Sequence, residues 1–146
     1  MRNIIITGAS GSVGAAATSA LAQHGWHVIM ACRDLEKGEK VRQEVLAKCP
    51  GASVEVRELE MSSRESIRRF AEGLKGTVVD VLFNNAGVKA HKYAESADGI
   101  EQNMAVNFVG TAMLTELVAP LIPKGGSIVN MVSLTVRFAK RDIDWR

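Results

Sequence analysis

Three glycines stand at three-residue intervals in Gly8-Ala9-Ser10-Gly11-Ser12-Val13-Gly14. Glycine lets a backbone turn tightly and approach a pyrophosphate, and a helix opening there would aim free N–H groups and its positive dipole end at the anion. Gly8, Ser10, Gly11, Ser12, Val13 and Gly14 are therefore the candidate phosphate cradle. Three glycines also fit an ordinary strand-to-helix turn, so context must carry the argument. About twenty residues on, where a dinucleotide site places an acid for the ribose 2′-hydroxyl, the chain reads Cys32-Arg33-Asp34. Arginine is a bidentate phosphate ligand, and the uncharged Cys32 removes a carboxylate that would repel a 2′-phosphate. Arg33 thus favours NADP, while Asp34 keeps NAD open. The competing reading makes Arg33 a surface charge paired with Asp34 or Glu36.

These residues need strands that end, and helices that begin, beside them. Asn3 to Thr7 is an apolar first strand, Ser12 to His24 an alanine-rich helix closed by Gly25, and His27 to Ala31 a second strand. Asp34 can cap a helix from Leu35 to Lys48 that stops at Pro50. Val54 to Glu58 alternates as a third strand, and Ser62-Ser63-Arg64-Glu65 reads as a capping box for a helix from Arg64 to Leu74. Val78 to Phe83 is a fourth strand. The longest helix runs from Asp98 or Gly99 to Leu121, and Ser127 to Val132 is a fifth strand. Short apolar strands alternating with helices imply a doubly wound parallel α/β sheet covered on both faces, its crevice outside the carboxyl ends of the strands.

The chain has 146 residues, 47% of them apolar, enough for one domain with a real core. Eighteen basic and sixteen acidic residues are interspersed, a balance that disfavours nucleic acid as a partner. Two cysteines, Cys32 and Cys49, form no disulfide scaffold and no metal site is expected. The apolar run Ile4-Ile5-Ile6 breaks at Gly8, too short for a signal core or a span, so a soluble, cytoplasmic protein without a membrane partner is the expectation.

The glycine loop, together with Asn84-Asn85-Ala86-Gly87 after the fourth strand, resembles the short-chain dehydrogenase/reductase family over the whole chain. The commonest family loop has glycine where Ser12 stands; here Gly11 takes that part. The resemblance implies a Rossmann fold with strands in the order 3-2-1-4-5. It also implies that the Asn84-Asn85-Ala86-Gly87 motif borders the adenosine part of the cofactor, through Asn85, Ala86 and Gly87, and braces the sheet. Glu60-Met61 occupies the place of the family's usual Asp-Leu or Asp-Val beside the adenine, with an acid one methylene longer. The runs His27 to Asp34 and Asp98 to Gly110 are most similar to the retinol dehydrogenase and protochlorophyllide reductase branch, whose members mostly prefer NADP. A flavin or sugar-nucleotide Rossmann protein is disfavoured by Asn84-Asn85-Ala86-Gly87.

Family chemistry is hydride transfer between a nicotinamide and a carbonyl or alcohol carbon, with general acid–base help worth ~10²- to 10⁴-fold. The resemblance assigns Ser133 to orienting the carbonyl oxygen and Asn107 to supporting a water relay. The proton-transferring Tyr-x-x-x-Lys does not occur in these 146 residues; Tyr93, the only tyrosine, is followed four residues later by Ala97 and reads as a solvated loop residue. Lys140 to Arg146 resembles the loop leading to the tyrosine helix. The expectation is thus a cofactor-binding domain over 1–146, cut after its fifth strand, with an open sheet edge and an uncovered face on the long helix. Homo-oligomerisation would use the long helix or that edge. The alternative is a catalytically inactive nucleotide-binding or interaction module.

Overall fold

Ile4, Ile5 and Ile6 are consecutive in β1 (Asn3–Thr7), and all three are buried because the sheet is covered on both faces. The computed structural model describes residues 1–133. β1 pairs in parallel with β2 (His27–Cys32), which pairs with β3 (Ser53–Glu58); on its other side β1 pairs with β4 (Val81–Asn84), which pairs with β5 (Ser127–Asn130). The resulting order, β3-β2-β1-β4-β5, reverses between β1 and β4. A crevice at the carboxyl ends opens at such a reversal.

Side chains alternate across each strand, so Ile4 and Ile6 share a core with Val28, Met30 and Val54 beneath α1 (Ser12–Gln23) and α2 (Leu35–Lys48). Ile5 faces the opposite core with Ile29 and Leu82. That side is closed by Ile67 and Phe70 of α3 (Arg64–Glu72) and by Leu114 and Val118 of the long helix. Each such side chain contributes about 1.5–3 kcal/mol when fully buried.

The long helix runs over Gln102–Leu121, shorter at its start than expected, and is not uniform. It comprises α4 (Gln102–Met104), a π-helical stretch Ala105–Gly110, α5 (Thr111–Val118) and a 3₁₀ turn Ala119–Leu121 containing Pro120. Glu101 caps it, accepting from the Asn103 and Met104 N–H groups, after a turn in which Gly99 has φ +70°. By length and composition this helix could cross a membrane, yet Val106, Leu114 and Val118 are spent on the core beneath the sheet.

Several boundaries differ from the sequence expectation. The capping box at Ser62 does not form: Ser63 caps α3, accepting from the Ser66 N–H, while the Ser62 N–H and hydroxyl both donate to Glu60 Oε1. β4 begins at Val81, because the preceding backbone bonds elsewhere: Val79 N–H donates to Leu121, and the Val78 carbonyl accepts from the Asn3 side chain. β5 ends at Asn130 instead of Val132. Among the described residues β5 pairs with β4 alone, and all four of its residues are exposed. The expected loop over Lys140 to Arg146 lies outside the described residues.

Candidate functional site

The glycine loop connects β1 to α1 and forms one wall of a cleft of about 540 Å³. Gly8 sits at φ +63°, a region that side chains disfavour, and packs on Ala86. At Gly14 a Cβ would lie 2.5 Å from the Gly8 carbonyl oxygen and 2.7 Å from Ala9 Cα, so the first turn of α1 rests directly on the loop. Gly11 is the N-cap and brings no side chain, which leaves the N–H groups of Ser12 and Val13 open to an anion, while Gly14 is buried behind them and supports the loop without lining the cleft. The loop is tied across the strand reversal by Thr7, which is fully buried. Its hydroxyl oxygen accepts from the N–H groups of Asn85 (3.0 Å) and Ala86 (2.9 Å), while Asn85 Nδ2 donates to the Thr7 carbonyl (2.9 Å). Asn85 therefore braces the loop with its side chain and lines the cleft alongside Ala86 and Gly87.

The exits of β2 and β3 form the far wall, with Arg33, Asp34, Lys37, Leu59, Glu60 and Met61. Arg33 is mostly exposed, and its Nε lies 3.6 Å from Glu60 Oε2. Its partner is thus Glu60 beside it on the same wall, not Asp34 or Glu36, and such an exposed pair is worth about 0–1 kcal/mol. The Asp34 carboxylate caps α2, accepting from the Lys37 N–H at 2.9 Å. Cys32 is 1% exposed, and burial pushes its thiol pKa up against the opposing hydrogen bonds of Ser10 and Ala9. The thiol therefore stays neutral and adds no negative charge beneath the loop. Lys37 escaped the sequence reading, although Arg33-x-x-x-Lys37 has the spacing of one helical turn.

A second cleft, about 920 Å³, adjoins the first beyond the shared wall Asn85–Val88. It brings Asn107 and Ser133 together with Phe108, Thr115 and Asn130. Asn107 stands in the π-helical stretch, and its carboxamide is engaged with Val88: Oδ1 accepts from the Val88 N–H and Nδ2 donates to the Val88 carbonyl, both at 2.9 Å. Asn84 Nδ2 donates to Thr115 Oγ1 (2.9 Å) and to Asn130 Oδ1 (2.8 Å), pinning β4 to β5 and to α5. Its buried Oδ1 has no hydrogen-bond partner among the described residues. Tyr93 is 75% exposed and lines neither cleft; its hydroxyl donates to Glu95, which holds the phenol pKa up. The sheet-bracing part expected of the Asn84-Asn85-Ala86-Gly87 motif is seen at Asn84, whereas Thr7 and Thr115 were not among the sequence candidates, because their roles are contacts across distant elements.

A parallel sheet that reverses beside a glycine loop, with clefts at its carboxyl ends, defines a Rossmann-type dinucleotide fold. The chain belongs to the short chain dehydrogenase family, whose sequence model matches residues 2–140. It is 39% identical over 135 residues to retinol dehydrogenase 11 of Homo sapiens, covering 90% of this chain and 42% of that protein. To retinol dehydrogenase 12 of Bos taurus it is 37% identical over 141 residues, covering 94% and 45%. The chain thus spans less than half the length of these relatives. A solved metagenomic short-chain oxidoreductase in complex with NADP is 31% identical, with a TM-score of 0.77, over 91% of this chain and 62% of that one.

Proposed function

We propose that this chain is the cofactor-binding part of an NADP(H)-dependent short-chain oxidoreductase acting on a carbonyl or alcohol substrate. The observation that carries the reading is the pair of adjoining clefts across the β1/β4 reversal, cradle in one and Asn107 with Ser133 in the other. The residues fit the cofactor: a Cβ at Gly14 would fill space the loop needs, and open N–H groups face the place of a pyrophosphate. Arg33 and Lys37 would hold a 2′-phosphate, with Asp34 turned to its own helix. Glu60 and Met61 would border the adenine.

When bound, the nicotinamide exchanges a hydride with the substrate carbon. Ser133 Oγ would orient the substrate oxygen, while Asn107 fixes the wall that both clefts share. Phe108, Met131 and Val132 give the second cleft an apolar, exposed lining, which suits an apolar substrate. The names of the retinol dehydrogenase relatives make an apolar alcohol or aldehyde the first class to try.

The test is calorimetry and thermal melting with NADPH and NADH, followed by NADPH oxidation with retinal. NADPH at a hundred times its Kd should raise Tm by roughly 6–10 °C and NADH by less. The 146-residue chain, without a Tyr-x-x-x-Lys pair, should bind without turnover. Absence of any nucleotide-dependent shift would overturn the reading.

A further inference from the structure

Asn107 has a counterpart one helical turn earlier. Asn103 Oδ1 accepts from the Ala90 N–H at 2.8 Å and its Nδ2 reaches the Ala90 carbonyl at 3.4 Å, the same two-point contact that Asn107 makes with Val88. A carboxamide places one acceptor and one donor side by side, as the N–H and C=O of a single residue require. Four residues of helix rise about 6 Å and two residues of extended chain span about 6.6 Å, so the two spacings match. Asn103 is itself held by Glu101, whose Oε1 accepts from Asn103 Nδ2 at 2.8 Å while the carboxylate caps the helix. The segment so gripped, 88–90, begins at Val88, which with the preceding Gly87 lines both clefts.

We infer that Asn103 is a positioning residue: with Asn107 it forms a two-rung ladder that fixes the wall between the clefts. It thereby sets affinity for the part of the dinucleotide that crosses from one cleft to the other. The inference rests on the function proposed above. The adenosine half is bounded chiefly by the glycine loop, Arg33 and Glu60 and meets the held wall only along its edge at Gly87 and Val88, so it should feel the ladder far less.

The experiment compares NADPH with adenosine 2′,5′-bisphosphate by calorimetry on the whole chain. Asn103→Ala should weaken NADPH about tenfold, as loss of a hydrogen-bonded contact implies, and change the bisphosphate by less than about twofold. Retained bisphosphate binding shows that the variant is folded; if it is lost, Asn103→Asp, which keeps the side-chain volume, is read by the same ratio. Equal loss of both ligands in a chain with wild-type melting, or loss of neither, overturns the ladder. A wild-type chain that binds neither ligand overturns the nucleotide reading, and the ladder's role falls with it.

Discussion

In the cleft beside β1, β2 and β3 the groups offered to an anion are mostly main chain: the first N–H groups of α1, set by a loop whose glycines leave no room for side chains. In the cleft beside β4 and β5 the polar lining is of side chains, Asn107 clasped to Val88 and Ser133, beside an exposed strand and exposed Phe108. The first depends on backbone path and tolerates nothing added. The second depends on elements brought together from distant parts of the chain, and much of its lining is open. Among the described residues the first cleft is thus a preset backbone cradle, whereas the second is a surface assembled from several elements.

The largest effect should come from adding one carbon to the first cleft. Gly14→Ala would press a methyl onto two backbone positions, the Gly8 carbonyl and Ala9 Cα, which have no flexible end to yield. We expect NADPH affinity to fall at least about 100-fold and stability by about 2 kcal/mol. Phe108→Ala removes far more volume from the second cleft, yet Phe108 is 63% exposed and its loss should stay within ~0.5 kcal/mol. Urea melts and calorimetry on both variants check the contrast. A Gly14→Ala chain that binds normally would break it.

A smaller effect is expected at the charged far wall of the first cleft. Removing a charge-assisted phosphate contact costs about 1.5–3 kcal/mol, so Arg33→Ala should weaken NADPH about 10- to 150-fold and leave NADH nearly unchanged. Lys37→Ala should do the same to a lesser degree. Titrating both cofactors against each variant measures the ratio. If NADH binding alone changes, Arg33 is not a 2′-phosphate ligand.

The same contrast explains what the sequence disclosed. Glycine spacing, an apolar strand and the Asp34 cap are local, and β1 and α2 came out with the bounds the residues implied. Asn84-Asn85-Ala86-Gly87 was legible as a family motif, but its geometry was not. Thr7 receives two N–H groups from residues 78 and 79 positions away, which no local pattern encodes. The Ser62 capping box failed because the helix begins one residue later, with Ser63 as its cap, and the Ser62 N–H donates to Glu60 instead of reaching Glu65. The π-helical stretch around Asn107 likewise followed from packing, where a Cβ at Gly110 would overlap the Met61 carbonyl, and from the clasp on Val88. Asn103 was visible only as a spacing, four residues before Asn107.

The smallest effect separates the clefts by pH. The first loop is held by backbone groups and a neutral hydroxyl, none of which titrates near neutrality. The wall on the second side is held through Glu101, whose pKa is lowered chiefly by the N–H groups of Asn103 and Met104. A carboxylate with a depressed folded pKa binds fewer protons than it does in the unfolded chain. Its stabilising contribution is therefore full above the ordinary glutamate value and is lost as pH falls through that value toward the lower folded one. The residue is only half-buried, so the change should be small, and it should be confined to acid conditions. Melting wild type and Glu101→Gln from pH 7 to pH 3 should give curves that differ above the ordinary glutamate pKa and converge below it. Amide exchange at Ala90 should quicken over the same acid range once its intrinsic pH dependence is removed, while Asn85 and Ala86, held by Thr7, stay protected. Equal acid sensitivity at all three amides would show that the two sides of the crevice are held alike.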